Sequence, residues 1–156
     1  MNAPARPASR WLAPALRVAL VVIGSAPFWV PPLQQVAGLS ALARLFDAWF
    51  ALHCHREADR SWLPFGVGLA VCVRCTGIYV GLALGALIEK PLLSPVHVRL
   101  WVGIAALIMI LDVVTEMLHM RPAWGPLRAF SGFFLAYPVG VALVNAARSR
   151  TAAAPP

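Results

Sequence analysis

Apolar residues fall in four runs, at about 12–30, 70–88, 100–119 and 127–147. Each approaches the roughly 20 residues that a helix needs to cross a bilayer. The stretch 33–53, "LQQVAGLSALARLFDAWFALH", has a different rhythm. Leu39, Leu42, Leu45, Phe46, Trp49, Phe50 and His53 recur at helical spacing, while Gln34, Gln35, Arg44 and Asp47 fall elsewhere. That pattern predicts an amphipathic helix lying in the interface plane. The competing reading is a fifth span, since 21 residues suffice and Arg44 could pair with Asp47 at i, i+3. Residues 1–11 and 148–156 read as disordered tails. The expected fold is an all-α membrane protein, a single transmembrane domain over 12–147 with four transmembrane helices plus one interfacial amphipathic helix.

The first run has the outline of a secretory signal, with Arg6, Arg10 and Arg17 near a short apolar stretch and small residues at Gly24, Ser25 and Ala26. Pro27 disfavours cleavage there and the apolar character continues through Val30, so a retained anchor is expected.

Composition supports a lipid setting: 60% of the 156 residues are hydrophobic and only 12% charged, unlike an ordinary soluble domain. The net charge of +7 would suggest nucleic acid in a soluble chain. Here the arginines flank apolar runs, where headgroups and topology account for them, and no basic stripe with interleaved aromatics exists, so no nucleic acid is expected as a partner. With four spans, both tails and the loop near 89–99 share one side with Arg6, Arg10, Lys90, Arg99, Arg148 and Arg150. That side is slightly the more basic, which orients both termini to the cytoplasm of a cell (inner) membrane and the other face outward.

Alternation of spans gathers the chemistry on that other face. The second run begins at "CVRC", the third ends on the same side and the fourth begins there. Cys54, His55, Cys72 and Cys75 therefore share a face with Asp112, Glu116, His119, Arg121 and Arg128. Asp112, Glu116 and His119 stand at i, i+4 and i+7, one polar stripe on an otherwise apolar helix, which should face the bundle interior or a wet cavity. Asp112 is expected to pair with Arg74 or Arg128, and its greater depth predicts that it matters more than Glu116 to stability. The plainer reading of the stripe is a structural clamp.

Cys72 and Cys75 form C-x-x-C, a spacing that lets two thiolates grip one tetrahedral ion, with Gly77 expected to let backbone N–H groups approach sulfur. Cys54 and His55 would complete a closed zinc shell, provided the chain leaves helix near His53. Two alternatives remain open: a membrane thiol–disulfide oxidoreductase using the C-x-x-C, for which the three cysteines make one pair and a single thiol, or plain buried cysteines. Arg56, Arg60, Arg74 and Arg128, with Asp112 and Glu116, form a polar cluster suited to an anionic small molecule or a lipid headgroup, as in a small transporter that gains size as a homo-oligomer. The E-x-x-H of Glu116 and His119 lacks the further carboxylates that a dimetal bundle site needs, and His97 reads as a solvated loop residue. No nucleotide loop, haem C-x-x-C-H or serine-nucleophile motif is visible, so no enzyme class is assigned.

"CHR", "DRS", "CVRCTGIYVG", late acidic residues in the next span and R-x-x-S-G opening the last together resemble a family of small prokaryotic multi-pass membrane proteins known only as a domain of unknown function. The resemblance covers about residues 45–145. Its pattern, C-H-Q-x-P-E-R-S, C-x-R-C-T-G-I-Y-x-G, D-G-x-T-Q and N-x-L-R-x-x-T-G, is kept at Cys54, His55, Arg60, Ser61, Cys72, Arg74, Cys75, Thr76, Gly77, Tyr79, Gly81, Asp112, Thr115, Arg128 and Gly132. It is altered at Arg56, Ala58, Asp59, Val113, Glu116, Gly125 and Ser131. The family implies a membrane location and supplies no activity.

Overall fold

The structure is a computed structural model that describes residues 11–54, 61–63, 66, 68–88 and 94–152. Five helices follow one another: α1 (Leu12–Leu33), α2 (Ser40–Ala51), α3 (Val73–Leu87), α4 (Pro95–Met117) and α5 (Gly125–Ala152). α1, α4 and α5 are each long and apolar enough to cross a membrane, whereas α3 is a shorter apolar helix. His55, Arg56, Arg60, Arg6, Arg10 and Lys90 lie outside the described residues.

Helix bounds differ from the expected runs for local reasons. α1 continues through Pro27, Pro31 and Pro32 to Leu33; membrane helices tolerate proline where neighbouring groups satisfy the freed carbonyls. Gly38 then turns the chain at φ 90°, a left-handed conformation that favours glycine, so α2 covers only Ser40–Ala51 of the expected 33–53. α4 starts at Pro95 because Ser94 caps it, accepting from the His97 N–H at 3.4 Å, with proline in the first turn. His97 is thus a first-turn residue, its Nδ1 2.7 Å from Ser94 Oγ. α5 runs through Ala152, past 147 and into the segment read as a tail.

α3 and α5 run parallel and touch backbone to backbone. Gly77, Gly81 and Gly85 recur every four residues on α3 and meet Ala129, Phe133 and Tyr137, each 52 positions further along. Gly132 and Gly140 of α5 reciprocate against Arg74 and Leu82. A methyl group on Gly81 would lie 2.7 Å from the Phe133 carbonyl oxygen, so only glycine permits this spacing. Such small-residue faces are how helices associate where lipid removes the hydrophobic drive between them. Gly77 therefore serves helix packing rather than the approach of backbone N–H groups to sulfur expected of it.

Gly24 of α1 sits against Tyr79 and Ala83 on another side of α3, running antiparallel. α4 packs on α5, where Trp101 donates to the Phe134 carbonyl at 3.0 Å and lies tilted against the rings of Phe134 and Tyr137. α2 folds back so that Phe46 meets Trp29 edge-on at 5.1 Å and Phe50 meets Tyr79 at 5.2 Å. Ala26, Val30, Ala43, Phe50, Cys54, Ala70 and Val71 form the buried cluster beneath it.

Candidate functional site

The parallel pairing of α3 and α5 presents both helix N-termini at one end, together with the C-terminal end of α4. Two neighbouring groups of side chains form there. The first is the thiol cluster. α2 ends at Ala51, Leu52 and His53 form a turn, and the Cys54 N–H still donates to the Phe50 carbonyl at 2.9 Å. The chain returns through Leu69, Ala70 and Val71, all buried, and reaches Cys72 in extended conformation (φ −66°, ψ 161°) immediately before α3. The Cys72 N–H donates to Cys54 Sγ at 3.1 Å, and the sulfur atoms of Cys54, Cys72 and Cys75 all lie within 4.8 Å of one another.

Cys72 precedes α3 by one residue and is half-buried. Thiolate is the form that binds metal and attacks disulfides. His53, exposed beside the cluster, is engaged elsewhere, with Nδ1 2.9 Å from the Trp49 carbonyl and its ring against the Trp49 indole.

The second group is an arginine–carboxylate network. Arg74, between the two cysteines of C-x-x-C, donates to Asp112 at 2.6 Å and lies 3.6 Å from Glu116. Arg128, in the first turn of α5, grips Glu116 with two donors, Nε at 2.8 Å and Nη2 on the other oxygen. Arg121 completes the set: it donates to Asp112 Oδ1, to the Asp112 carbonyl at 2.9 Å and to Thr115 Oγ1 at 3.0 Å. Asp112 and Arg128 are buried, while Arg74 and Arg121 reach the surface. Arg74 Nε is a buried donor without a partner among the described residues.

Asp112 thus pairs with Arg74, as expected, while Arg128 chooses Glu116 instead. Arg121 had no assigned role in the polar cluster. Its position follows from the way α4 ends: His119 adopts φ 55°, the Met120 N–H bonds the Thr115 carbonyl at 3.0 Å and the His119 N–H bonds the Glu116 carbonyl at 3.0 Å. These two bonds make a Schellman cap. The cap turns the chain back so that Arg121 reaches over the last turn of α4. It also removes His119 from the helix, so the polar stripe ends at Glu116.

Among known proteins, the chain is similar to uncharacterized protein MJ1492 of Methanocaldococcus jannaschii, 34% identical over 96 residues covering 59% of this chain. The match spans 62% of that relative's length. No solved structure matches. The family described as predicted membrane protein (DUF2085) matches residues 54–142, a segment that begins at the first cysteine of the cluster and takes in α3, α4 and most of α5. More than half of the chain is thereby accounted for, and the chain belongs to this DUF2085 family of predicted membrane proteins.

Proposed function

We propose that Cys54, His55, Cys72 and Cys75 hold one structural zinc ion at the mouth of a four-span bundle. The observation that carries this reading is the convergence of three sulfurs from two chain segments within 4.8 Å, with a backbone N–H already directed at one of them. Tetrahedral zinc with bonds of about 2.3 Å needs sulfurs about 3.8 Å apart, a contraction that side-chain rotation can supply. His55 follows Cys54 directly and is the fourth donor. A closed shell of four ligands leaves no open position for catalysis, so the ion staples the end of α2 to the start of α3.

In this reading α1, α3, α4 and α5 cross the inner membrane, α2 lies in the interface, both termini are cytoplasmic and the thiol face is extracytoplasmic. At 1.5 Å per residue, the 15 residues of α3 span only about 22 Å of a roughly 30 Å hydrocarbon layer. The buried, non-helical lead-in Leu69–Val71 supplies the rest, as such backbone can at membrane depth when protein covers it. The metal and arginine groups would then sit in a recess. Compartment reporters near Arg6 and after Arg150 should both read cytoplasm; opposite compartments would rule out four spans.

Beside the metal, three arginines face two carboxylates. Among the described residues, the surplus positive charge and an Arg74 Nε without a partner support an anionic small molecule or headgroup as ligand, with Arg56 and Arg60 as further donors. The competing reading is a thiol–disulfide oxidoreductase, favoured by the position of Cys72 directly ahead of the α3 N-terminus with the Cys75 sulfur within 4.8 Å. Metal analysis of detergent-purified protein separates the two. Zinc near one per chain, falling well below one in Cys54→Ser, Cys72→Ser, Cys75→Ser and His55→Ala, supports the staple. Metal-free, folded protein with a reversible Cys72–Cys75 disulfide supports the oxidoreductase.

A further inference from the structure

At the end of the bundle opposite the thiols, α4 and α5 part company. Trp101, bonded to the Phe134 carbonyl, fastens the two helices nearly two turns in from the start of α4. Beyond it an open groove of about 540 Å³ runs to the helix ends. Val98 and Ala142 line its apolar walls, and Arg99, Asn145 and Ser149 supply its polar edge. The α5 wall presents Ala142, Asn145, Ala146 and Ser149 at i, i+3, i+4 and i+7, one helical face with no bulky side chain to fill the space.

Ser149 Oγ donates to the Asn145 and Ala146 carbonyls, each at 3.1 Å, but the other two polar side chains are not used internally. The side chains of Arg99 and Asn145 make no hydrogen bond or ion pair among the described residues, although Asn145 is half-buried within a helix of membrane-spanning length. Among the described residues, this end carries Arg17, Arg99, Arg148 and Arg150, while Asp47, Asp112 and Glu116 all lie toward the other end. A cleft with apolar walls, an amide partway along it and a guanidinium at its rim matches a phospholipid better than a soluble anion, which would not use the walls. A basic pocket between membrane helices favours an anionic headgroup.

We propose that this groove is a binding site for an anionic phospholipid, with the phosphate on Arg99 and Asn145 and one acyl chain along Val98 and Ala142. The site is independent of the zinc reading, since it shares no residue with the thiol end. The test is thermal unfolding in detergent with added phosphatidylglycerol or phosphatidylcholine of identical acyl chains. Phosphatidylglycerol should raise the midpoint about 3–6 °C further than phosphatidylcholine at a roughly tenfold excess over Kd. Arg99→Gln should erase that difference, Arg150→Gln outside the groove should keep it, and Ala142→Leu should shrink it by filling the cleft. Equal shifts with the two lipids would overturn the proposal. So would loss of the difference in Arg150→Gln to the same degree, which would mean diffuse charge attraction, or an equal shift from inorganic phosphate alone.

Discussion

Replacing Glu116 with glutamine should cost more stability than replacing Asp112 with asparagine, the reverse of the order that depth along α4 implies. Arg128 has a side chain only 6% exposed, and both of its bonded donors point at Glu116. Glutamine would leave a buried guanidinium without a countercharge and would turn an amide N–H₂ toward one of its donors. Breaking a buried pair from one side costs about 3–5 kcal/mol, and the partial exposure of Glu116 places this case near 3 kcal/mol. For a chain of this size the unfolding midpoint should fall about 6–12 °C. Asp112→Asn is cushioned: Arg74 keeps Glu116 at 3.6 Å, and Arg121 keeps the Asp112 carbonyl and Thr115. Its cost should be about 2 kcal/mol, the scale of a hydrogen bond to a charged group. Thermal unfolding of Glu116→Gln, Arg128→Gln and the double variant in one detergent closes a cycle. A coupling of about 2 kcal/mol is expected. A Glu116→Gln cost below about 1 kcal/mol, or no coupling, would refute the assignment of Arg128 to Glu116.

The helix seam can be probed by adding single methyl groups. Gly81→Ala should destabilise by about 1–3 kcal/mol by forcing α3 from α5, whereas Gly103→Ala, with nothing within 4 Å, should be neutral or gain up to about 1 kcal/mol in the same unfolding assay. His119→Gly should stabilise by about 1 kcal/mol, because glycine adopts the left-handed cap without strain; a loss would assign the imidazole a further contact.

The long apolar helices were legible because continuous hydrophobicity over a bilayer's width needs no tertiary information. The gathering of Cys54, Cys72 and Cys75 with Arg74, Asp112 and Glu116 at one end was legible for a similar reason: helices that cross in alternation bring alternate ends together. Partner choice within the network was not, because whether Arg128 meets Asp112 or Glu116 depends on the rotation of α4 against α5. Arg121 and His119 were hidden by one event, a left-handed residue after α4 whose reversal depends on the backbone conformation at His119. The glycine seam did leave a signal. Gly77, Gly81 and Gly85 recur every four residues, as do Gly132, Ala136 and Gly140, and small residues at that spacing mark close-packed membrane helices. Read as letters of a cysteine motif, Gly77 and Gly81 concealed that periodicity.

The central claim concerns what the three sulfurs hold, and X-ray absorption at the zinc edge of the purified protein addresses it most directly. The account predicts a four-coordinate ion with three sulfur ligands at about 2.3 Å and one nitrogen at about 2.0–2.1 Å, losing the nitrogen in His55→Ala and one sulfur in Cys54→Ser. Protein that folds without zinc, or a bound ion surrounded by oxygen with fewer than three sulfurs, would contradict it.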